Sequence, residues 1–457
     1  MKVHAEHDIR KRLAARAQAA GPGAGTRHSD AVPVSAAPGR GNGQPATPSS
    51  RRAAYAKRLA ESPARATVAV AATIGFWVAA AVAWVPVYRH TLRFNGLAWD
   101  LLTTWRAERL FAHGGAPYAI KAFVYPPSAL LVLRPIAALS AHDLKVVGLA
   151  VTAAAAWGAV MLSASAIGLR WWGLTSAVTI FLLRFTQAMT GELLLENVTV
   201  LCFLALAAFF FFALRDQWVV GGVAIGLSLA IKPLLLPVLL VFVLARQWRG
   251  LAVAAGVPAA LNLLALAFVA SPSQVFSKLP SVLDRTGTGV SLNSAWVDVT
   301  RTLGLPVGVS VTLRVATVAV VVVGTWWAWQ VLDNAVLRVV TSSSLLLIGV
   351  YLAGTLSEYH FMLTLVPLVM TVALARSPVR TIPALLGVLW MMGRFVLPRS
   401  WMGLSSQAAD NSVFRAFGMS VVAVSIVLVL AHRRRGRIPA VADDRPRARA
   451  GQETWSS

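Results

Sequence analysis

RFNGLAWDLLTTWRAERLFAHGGAPYAIKAFVYPP, from Arg93 to Pro127, is the first long polar segment of the chain and follows its first strongly apolar run, about 66 to 88. Asp100 is the only acidic residue between that run and Glu108. It stands just beyond a membrane exit, where a carboxylate meets both water and lipid. The segment closes on Tyr125-Pro126-Pro127, at the mouth of the next apolar run. Its middle, Ala98 to Phe111, places Leu101, Leu102, Trp105, Leu110 and Phe111 at helical spacing. That pattern predicts an amphipathic helix lying along a membrane surface. Asp100 falls in the first turn, where the helix dipole favours a carboxylate. The plainer alternative is a solvated loop with one stray aspartate.

The rest of the chain sets the context. Of its 457 residues 57% are hydrophobic and only 13% charged, about half the charge content of a soluble domain. Apolar runs recur along most of the length, so the fold class is all-α and polytopic, with the lipid bilayer as a constant partner. The residue-by-residue alternation of a membrane β-barrel is missing. The formal charge of +24 is uneven. Residues 1–65 hold 12 Lys/Arg against 4 Asp/Glu, and residues 432–457 hold 7 against 3. Basic ends that flank membrane spans follow the positive-inside rule, so nucleic acid is not an expected partner. The one cysteine, Cys202, sits in an apolar run and excludes a disulfide framework.

Residues 1–65 are rich in Ala, Gly, Pro, Ser and Arg and read as a disordered cytoplasmic tail. They do not read as a signal peptide. A short basic helix near Arg51 to Arg65 could lie on anionic lipid. Residues 66–432 form the membrane domain, and 433–457 a second basic cytoplasmic tail. About 12 spans are expected: 66–88, 126–140, 144–168, 172–190, 193–214, 218–246, 250–271, 307–332, 336–356, 360–375, 379–397 and 412–431. Lys232-Pro233 should kink or break the long 218–246 run. An even number puts both tails in the cytoplasm. The two long polar segments, Arg93 to Tyr125 and Pro272 to Pro306, then share the extracytoplasmic face of a plasma-membrane protein.

No phosphate-binding loop or dinucleotide fingerprint is present, no His/Cys metal spacing stands out, and no cofactor is expected. The candidates are isolated polar groups at the ends of spans, where ionisable residues are costly. Glu192 and Glu196, with Asn197 beside them, are either helix N-terminal charges or part of a site. Lys232 either snorkels or binds a phosphate. Asp284, Arg285, Asn293, Asp298 and Arg301 form a polar cluster that solvent alone could explain. Glu358, Tyr359 and His360 join two spans, and Arg394 lies near the outer end of another. Several cations and one carboxylate on one face suit a general base and an anionic leaving group.

These residues carry a resemblance. The Asp-bearing first loop closed by Tyr125-Pro126-Pro127 resembles the GT-C superfamily of integral-membrane glycosyltransferases, which take sugar from polyprenyl phosphates. GVAIGLSLAIKPLLLPVLLVFVLARQWRGL (Gly222–Leu251) is similar to the branch with actinobacterial polyprenyl-phosphate-dependent α-mannosyltransferases and mycobacterial α-(1→3)-arabinofuranosyltransferase. Leu292-Asn293-Ser294 with Gly304-Leu305-Pro306, Thr341 to Leu347, Leu365 to Val372 and Gly393-Arg394-Phe395 also look like the arabinofuranosyltransferase. There are two departures. Trp99 stands where that enzyme has a second aspartate, and Glu358-Tyr359-His360 stands where it has aromatics, a region in which the mannosyltransferases carry histidine. The resemblance implies an inverting transfer of D-arabinofuranose from decaprenyl-phosphate-arabinose to cell-wall arabinan, with mannose as the alternative sugar. It makes Asp100 the general base, and Lys232, His360 and Arg394, in falling order, the groups that stabilise the leaving phosphate. Asn293 and Tyr125 become positioning residues, and Glu358 a further substrate-binding candidate. A transporter is the reading from another class, disfavoured because no second broken helix matches Lys232-Pro233.

Overall fold

A computed structural model describes residues 63–93, 99–283, 293–393 and 407–437. Among the described residues the regular structure is helical, and the only pairing of extended backbone is one isolated antiparallel bridge, Asn293 to Glu358. The protein is therefore an all-α polytopic membrane protein. Nearly all of both tails, the basic segment near Arg51, Asp284, Arg285 and Arg394 lie outside the described residues.

Among the described residues six helices are long and apolar enough to cross a membrane. They are α1 (Pro63–Arg93), α4 (Ala141–Ala166), α10 (Trp248–Leu266), α13 (Val307–Val331), α14 (Ala335–Ala353) and α17 (Gln407–Arg437). A seventh crossing exists if α5 (Leu174–Leu183) and α6 (Gln187–Leu195), bent by 65° at their junction, count as one. The other expected spans are shorter apolar helices. Among them are α7 (Thr199–Ala213), α8 (Trp218–Ile231) and α16 (Ile382–Met392). The expected span at 126–140 is α3 (Pro127–Val132) followed by a 3-10 turn, Arg134–Ala138. Six helical residues rise about 9 Å, far short of a hydrocarbon core of about 30 Å. Three prolines and Arg134 explain the interruption.

The expected break in the 218–246 run is present. α8 ends at Ile231, and the chain continues as a 3-10 helix, Pro233–Val238, and α9 (Leu239–Leu244). Lys232 takes the extended conformation (φ −148°, ψ 124°) that a residue before proline prefers. That conformation swings its side chain out of the helical register, which matters for the site.

Between membrane helices, association rests on close packing of small residues more than on water exclusion. α8 packs along α10, and α7 lies against both α8 and α4. At the α8–α10 crossing a Cβ on Gly222 would collide with the Gly250 carbonyl, so the GVAIG pattern is a packing stripe. α14 is the most enclosed long helix, with Thr341 to Gly349 buried on every side.

Candidate active site

The first polar segment folds as α2 (Trp99–Ala112), with Asp100 in its opening turn. The face it buries is Thr104, Ala107 and Glu108, whereas Leu110, expected on the apolar face, is 40% exposed. The segment then returns through Tyr118, whose hydroxyl donates to the Tyr125 carbonyl at 2.9 Å. Just after Tyr125-Pro126-Pro127, Ser128 donates its hydroxyl to the Ala230 carbonyl at 2.5 Å. Its N–H donates to Asn262 Oδ1 at 3.1 Å. The turn is thereby fastened to the end of α8, two residues ahead of Lys232. Burial, and then the charges of Asp100, Glu358 and Glu192, push the Tyr125 phenol well above its usual range, so it stays a hydrogen-bond donor.

Asn197 links the two ends of the site. It follows α6, whose C-cap, Glu196, sits in the left-handed region at φ 48°. Asn197 Nδ2 donates to Asp100 Oδ2 at 2.6 Å. Its Oδ1 accepts from the Lys232 ammonium at 3.0 Å and from the N–H and hydroxyl of Thr199 at 3.0 and 2.8 Å. Lys232 also donates to Thr199 Oγ1 at 3.0 Å and lies 4.5 Å from the centroid of the Phe361 ring. One chain of contacts thus joins a carboxylate on α2, an amide between α6 and α7, and an ammonium at the α8 break.

Glu192 and Glu196 are not the N-terminal helix charges of the plainer reading. Glu192 lies near the end of α6 and accepts from the Val200 N–H at 2.9 Å, capping the start of α7 from outside. Glu196 is buried, and burial pushes its carboxyl up to about 8 against the opposing charge of Lys145. One oxygen of each carboxylate meets no hydrogen-bond partner among the described residues.

Glu358 and His360 form the facing wall. His360 Nε2 lies 3.0 Å from Glu358 Oε2. Burial opposes ionisation of Glu358, but its contact with His360 and the Lys232 charge outweigh it and hold the carboxyl well below its usual range, while burial lowers the His360 imidazole in turn. His360 is fully buried and its Nδ1 has no partner among the described residues. Asn293 is a brace. It donates to the Thr355 carbonyl at 2.8 Å, accepts from the Ser357 N–H at 2.7 Å and from the Ala295 N–H at 3.1 Å, and pairs its backbone with Glu358. Of the remaining cluster, Asp298 lies in α12 (Trp296–Thr302) and is buried rather than solvated. Burial raises its carboxyl despite Arg301.

Six of the seven sequence candidates, Asp100, Tyr125, Lys232, Asn293, Glu358 and His360, therefore meet in one region; Arg394 lies outside the described residues. One participant escapes a reading of the sequence. Arg415, on α17, is 1% exposed, donates to Ser294 Oγ at 2.8 Å and to Gln187 Oε1 at 3.2 Å, and stands 5.6 Å from the Tyr359 ring centroid. An arginine inside an apolar run was the available signal. Tyr359 in turn covers Gly191 so closely that any Cβ there would fall inside the ring. Among the described residues no three His, Cys, Asp or Glu side chains gather as a metal site.

Buried charges of both signs at the edge of a helical membrane bundle, with unmet polar atoms beside them, mark a functional site in a membrane protein. The profile of glycosyltransferase family 87 matches residues 123–355, and the chain belongs to that family. It is a glycosyltransferase. It is 31% identical over 315 residues to an α-(1→3)-arabinofuranosyltransferase of Mycobacterium tuberculosis, covering 67% of this chain and 69% of the relative. A protein of the same description from Mycolicibacterium smegmatis is 28% identical over 323 residues, 68% of this chain and 72% of the relative. One from Corynebacterium glutamicum is 26% identical over 313 residues, 63% and 70% of the two chains.

Proposed function

We propose that this glycosyltransferase is inverting and moves D-arabinofuranose from decaprenyl-phosphate-arabinose onto cell-wall arabinan in α-1,3 linkage, on the extracytoplasmic face of the plasma membrane. The observation that carries the reading is the Asp100–Asn197–Lys232 relay, which holds a base and a cation at opposite ends of one amide. The acceptor hydroxyl oxygen forms a bond to the anomeric carbon while its proton passes to the Asp100 carboxylate. The anomeric carbon–phosphate oxygen bond breaks, and its electron pair leaves on the polyprenyl phosphate. Lys232, with His360 beside it, offsets the charge that develops there. Tyr125 and Glu358 orient the sugar hydroxyls. Asn293 acts one step back, by fixing Glu358. The relatives named above act as arabinofuranosyltransferases by their descriptions, which favours a pentose.

The Glu358–His360 pair favours a second sugar, mannose, because the arabinofuranosyltransferase pattern has aromatics in that place. Membranes offered radiolabelled polyprenyl-phosphate arabinose and mannose side by side decide between them. Transfer of arabinose is expected; transfer of mannose alone would overturn the reading. The orientation has its own test. Both termini are cytoplasmic on this reading, so cysteines placed at Gly114 and Ser273 in a Cys202→Ala background should both react with an impermeant thiol reagent in intact cells. Reaction at only one would mean that the two loops lie on opposite faces.

A further inference from the structure

We propose that Asn197 is a positioning residue that keeps Asp100 and Lys232 apart as separate basic and cationic groups, an inference that rests on the reading of Asp100 as the base. The orientation of its amide is not ambiguous. Oδ1 faces the Thr199 backbone N–H at 3.0 Å and the Lys232 ammonium at 3.0 Å. Both can only donate, so the oxygen must be on that side. The amide nitrogen must then face Asp100, and Asp100 Oδ2, 2.6 Å away, must accept. One carboxylate oxygen is thus committed to Asn197, and Oδ1 is the oxygen left to take a proton.

The same amide sets the cation. An ammonium has three N–H bonds. Two of those on Lys232 go to Asn197 Oδ1 and Thr199 Oγ1, with the Phe361 ring beside it. The third remains for an anionic group. Without the amide between them, Asp100 and Lys232 would be free to close into a direct ion pair. Such a pair holds its carboxylate ionised and hides its ammonium, which removes the base and the phosphate partner together. Six further groups feel this pair: Glu192, Glu358 and His360 from the surrounding segments, the phenols of Tyr125 and Tyr359, and the Cys202 thiol.

The backbone accounts for how Asn197 reaches both partners. Glu196 occupies a left-handed conformation that costs a non-glycine residue stability. Its N–H stays bonded to the Glu192 carbonyl at 2.7 Å, so the chain turns sharply at the end of α6 and leaves Asn197, 5% exposed, between α2 and α8. Thr199 then locks the amide from the first turn of α7. These features place a two-ended hydrogen-bonding group where an ordinary helix end would have placed solvent.

The test compares wild type, Asn197→Ala, Asn197→Asp and Asp100→Asn in membranes, with whichever radiolabelled polyprenyl-phosphate sugar the wild type uses. Transfer rate, KM for the donor and the pH profile are recorded. Asn197→Ala should lower kcat by about 10- to 100-fold, the scale of a misplaced catalytic group. It should also move the acid side of the profile to lower pH, because the direct ion pair that closes holds the carboxylate ionised. Asn197→Asp should move it the other way, to higher pH, since a second carboxylate then faces Asp100. Asn197→Ser, whose hydroxyl can still serve the Thr199 N–H, replaces the alanine variant if that one fails to insert, with the same displacement expected. A fall in kcat with the acid side unmoved in every variant would reduce Asn197 to a packing residue and sink the inference. So would wild-type kinetics in Asn197→Ala. If Asp100→Asn itself turns over normally, the assignment of the base has failed, and that outcome is separate.

Discussion

Asp100 and Glu108 are two carboxylates on one helix, two turns apart, and they live in opposite surroundings. Asp100 is half-buried, and its carboxylate receives the Asn197 N–H. Glu108 is fully buried, with Arg134 and Tyr118 the ionisable groups within electrostatic range. Its neighbour Ala107 belongs to a cluster with Tyr118, Phe123, Leu130 and Val269. Neither Glu108 oxygen meets a hydrogen-bond partner among the described residues. Burial pushes Glu108 up to about 8, with the Arg134 charge opposing, so it is neutral at pH 7. Both are carboxylates carried by the same helix. What separates a base from a buried acid is what the rest of the fold brings to each: an amide linked to a cation, or an apolar lining.

The most direct way to break this contrast is to neutralise each carboxyl in turn. Asp100→Asn should lose about 10²- to 10⁴-fold in transfer rate while inserting at normal levels. Glu108→Gln, which resembles the protonated acid already present, should keep its activity. A dead Glu108→Gln beside an active Asp100→Asn would reverse the two roles. Next in size, Lys232→Met removes the cation at the far end of the relay. It should cost about 10²-fold in kcat/KM for the donor, as loss of an electrostatic stabiliser does. Equal kinetics in wild type and variant would mean that the leaving phosphate finds its partner elsewhere.

A third comparison concerns Arg415, the buried cation that braces the loops instead of facing the relay. Arg415→Ala should destabilise the detergent-solubilised protein by about 1–3 kcal/mol, since Ser294 and Gln187 lose a charged donor. An unchanged melting temperature would show that the second loop holds itself. The last comparison is the pH dependence that Glu108 confers. The folded protein keeps its proton up to about 8, whereas an ordinary glutamate releases it near 4.5. Between those values the folded state binds more protons than the unfolded state, so stability should fall as pH rises, by at most about 1.4 kcal/mol per pH unit. Below 4.5 and above 8 this contribution is flat. The slope should vanish in Glu108→Gln; a slope that persists in that variant would place the titrating group elsewhere.

Much of the fold was legible because it depends on local composition. The long apolar runs at α1, α4, α10, α13, α14 and α17 are set by a bilayer's demand for internally bonded, apolar helices. α2 with its first-turn aspartate and the break at Lys232-Pro233 were legible for the same reason, since helical spacing and the proline ring act on a few neighbouring residues. Runs such as 126–140 misled because hydropathy registers apolar content and is blind to where prolines stop a helix.

The sequence by itself therefore determined the class, the helices and the polar residues at their ends. Only the tertiary structure decided which of those residues meet. Asn197 precedes Lys232 by 35 residues and follows Asp100 by 97, and Arg415 lies 121 positions beyond Ser294. No periodicity spans such distances. Those contacts follow from how α2, α6, α7, α8 and α17 pack, from a left-handed turn at Glu196, and from a glycine at 191 that lets Tyr359 lie flat. The roles of the carboxylates followed in turn, because the free energy of a buried charge is set by its nearest neighbours in space and hardly at all by its neighbours along the chain.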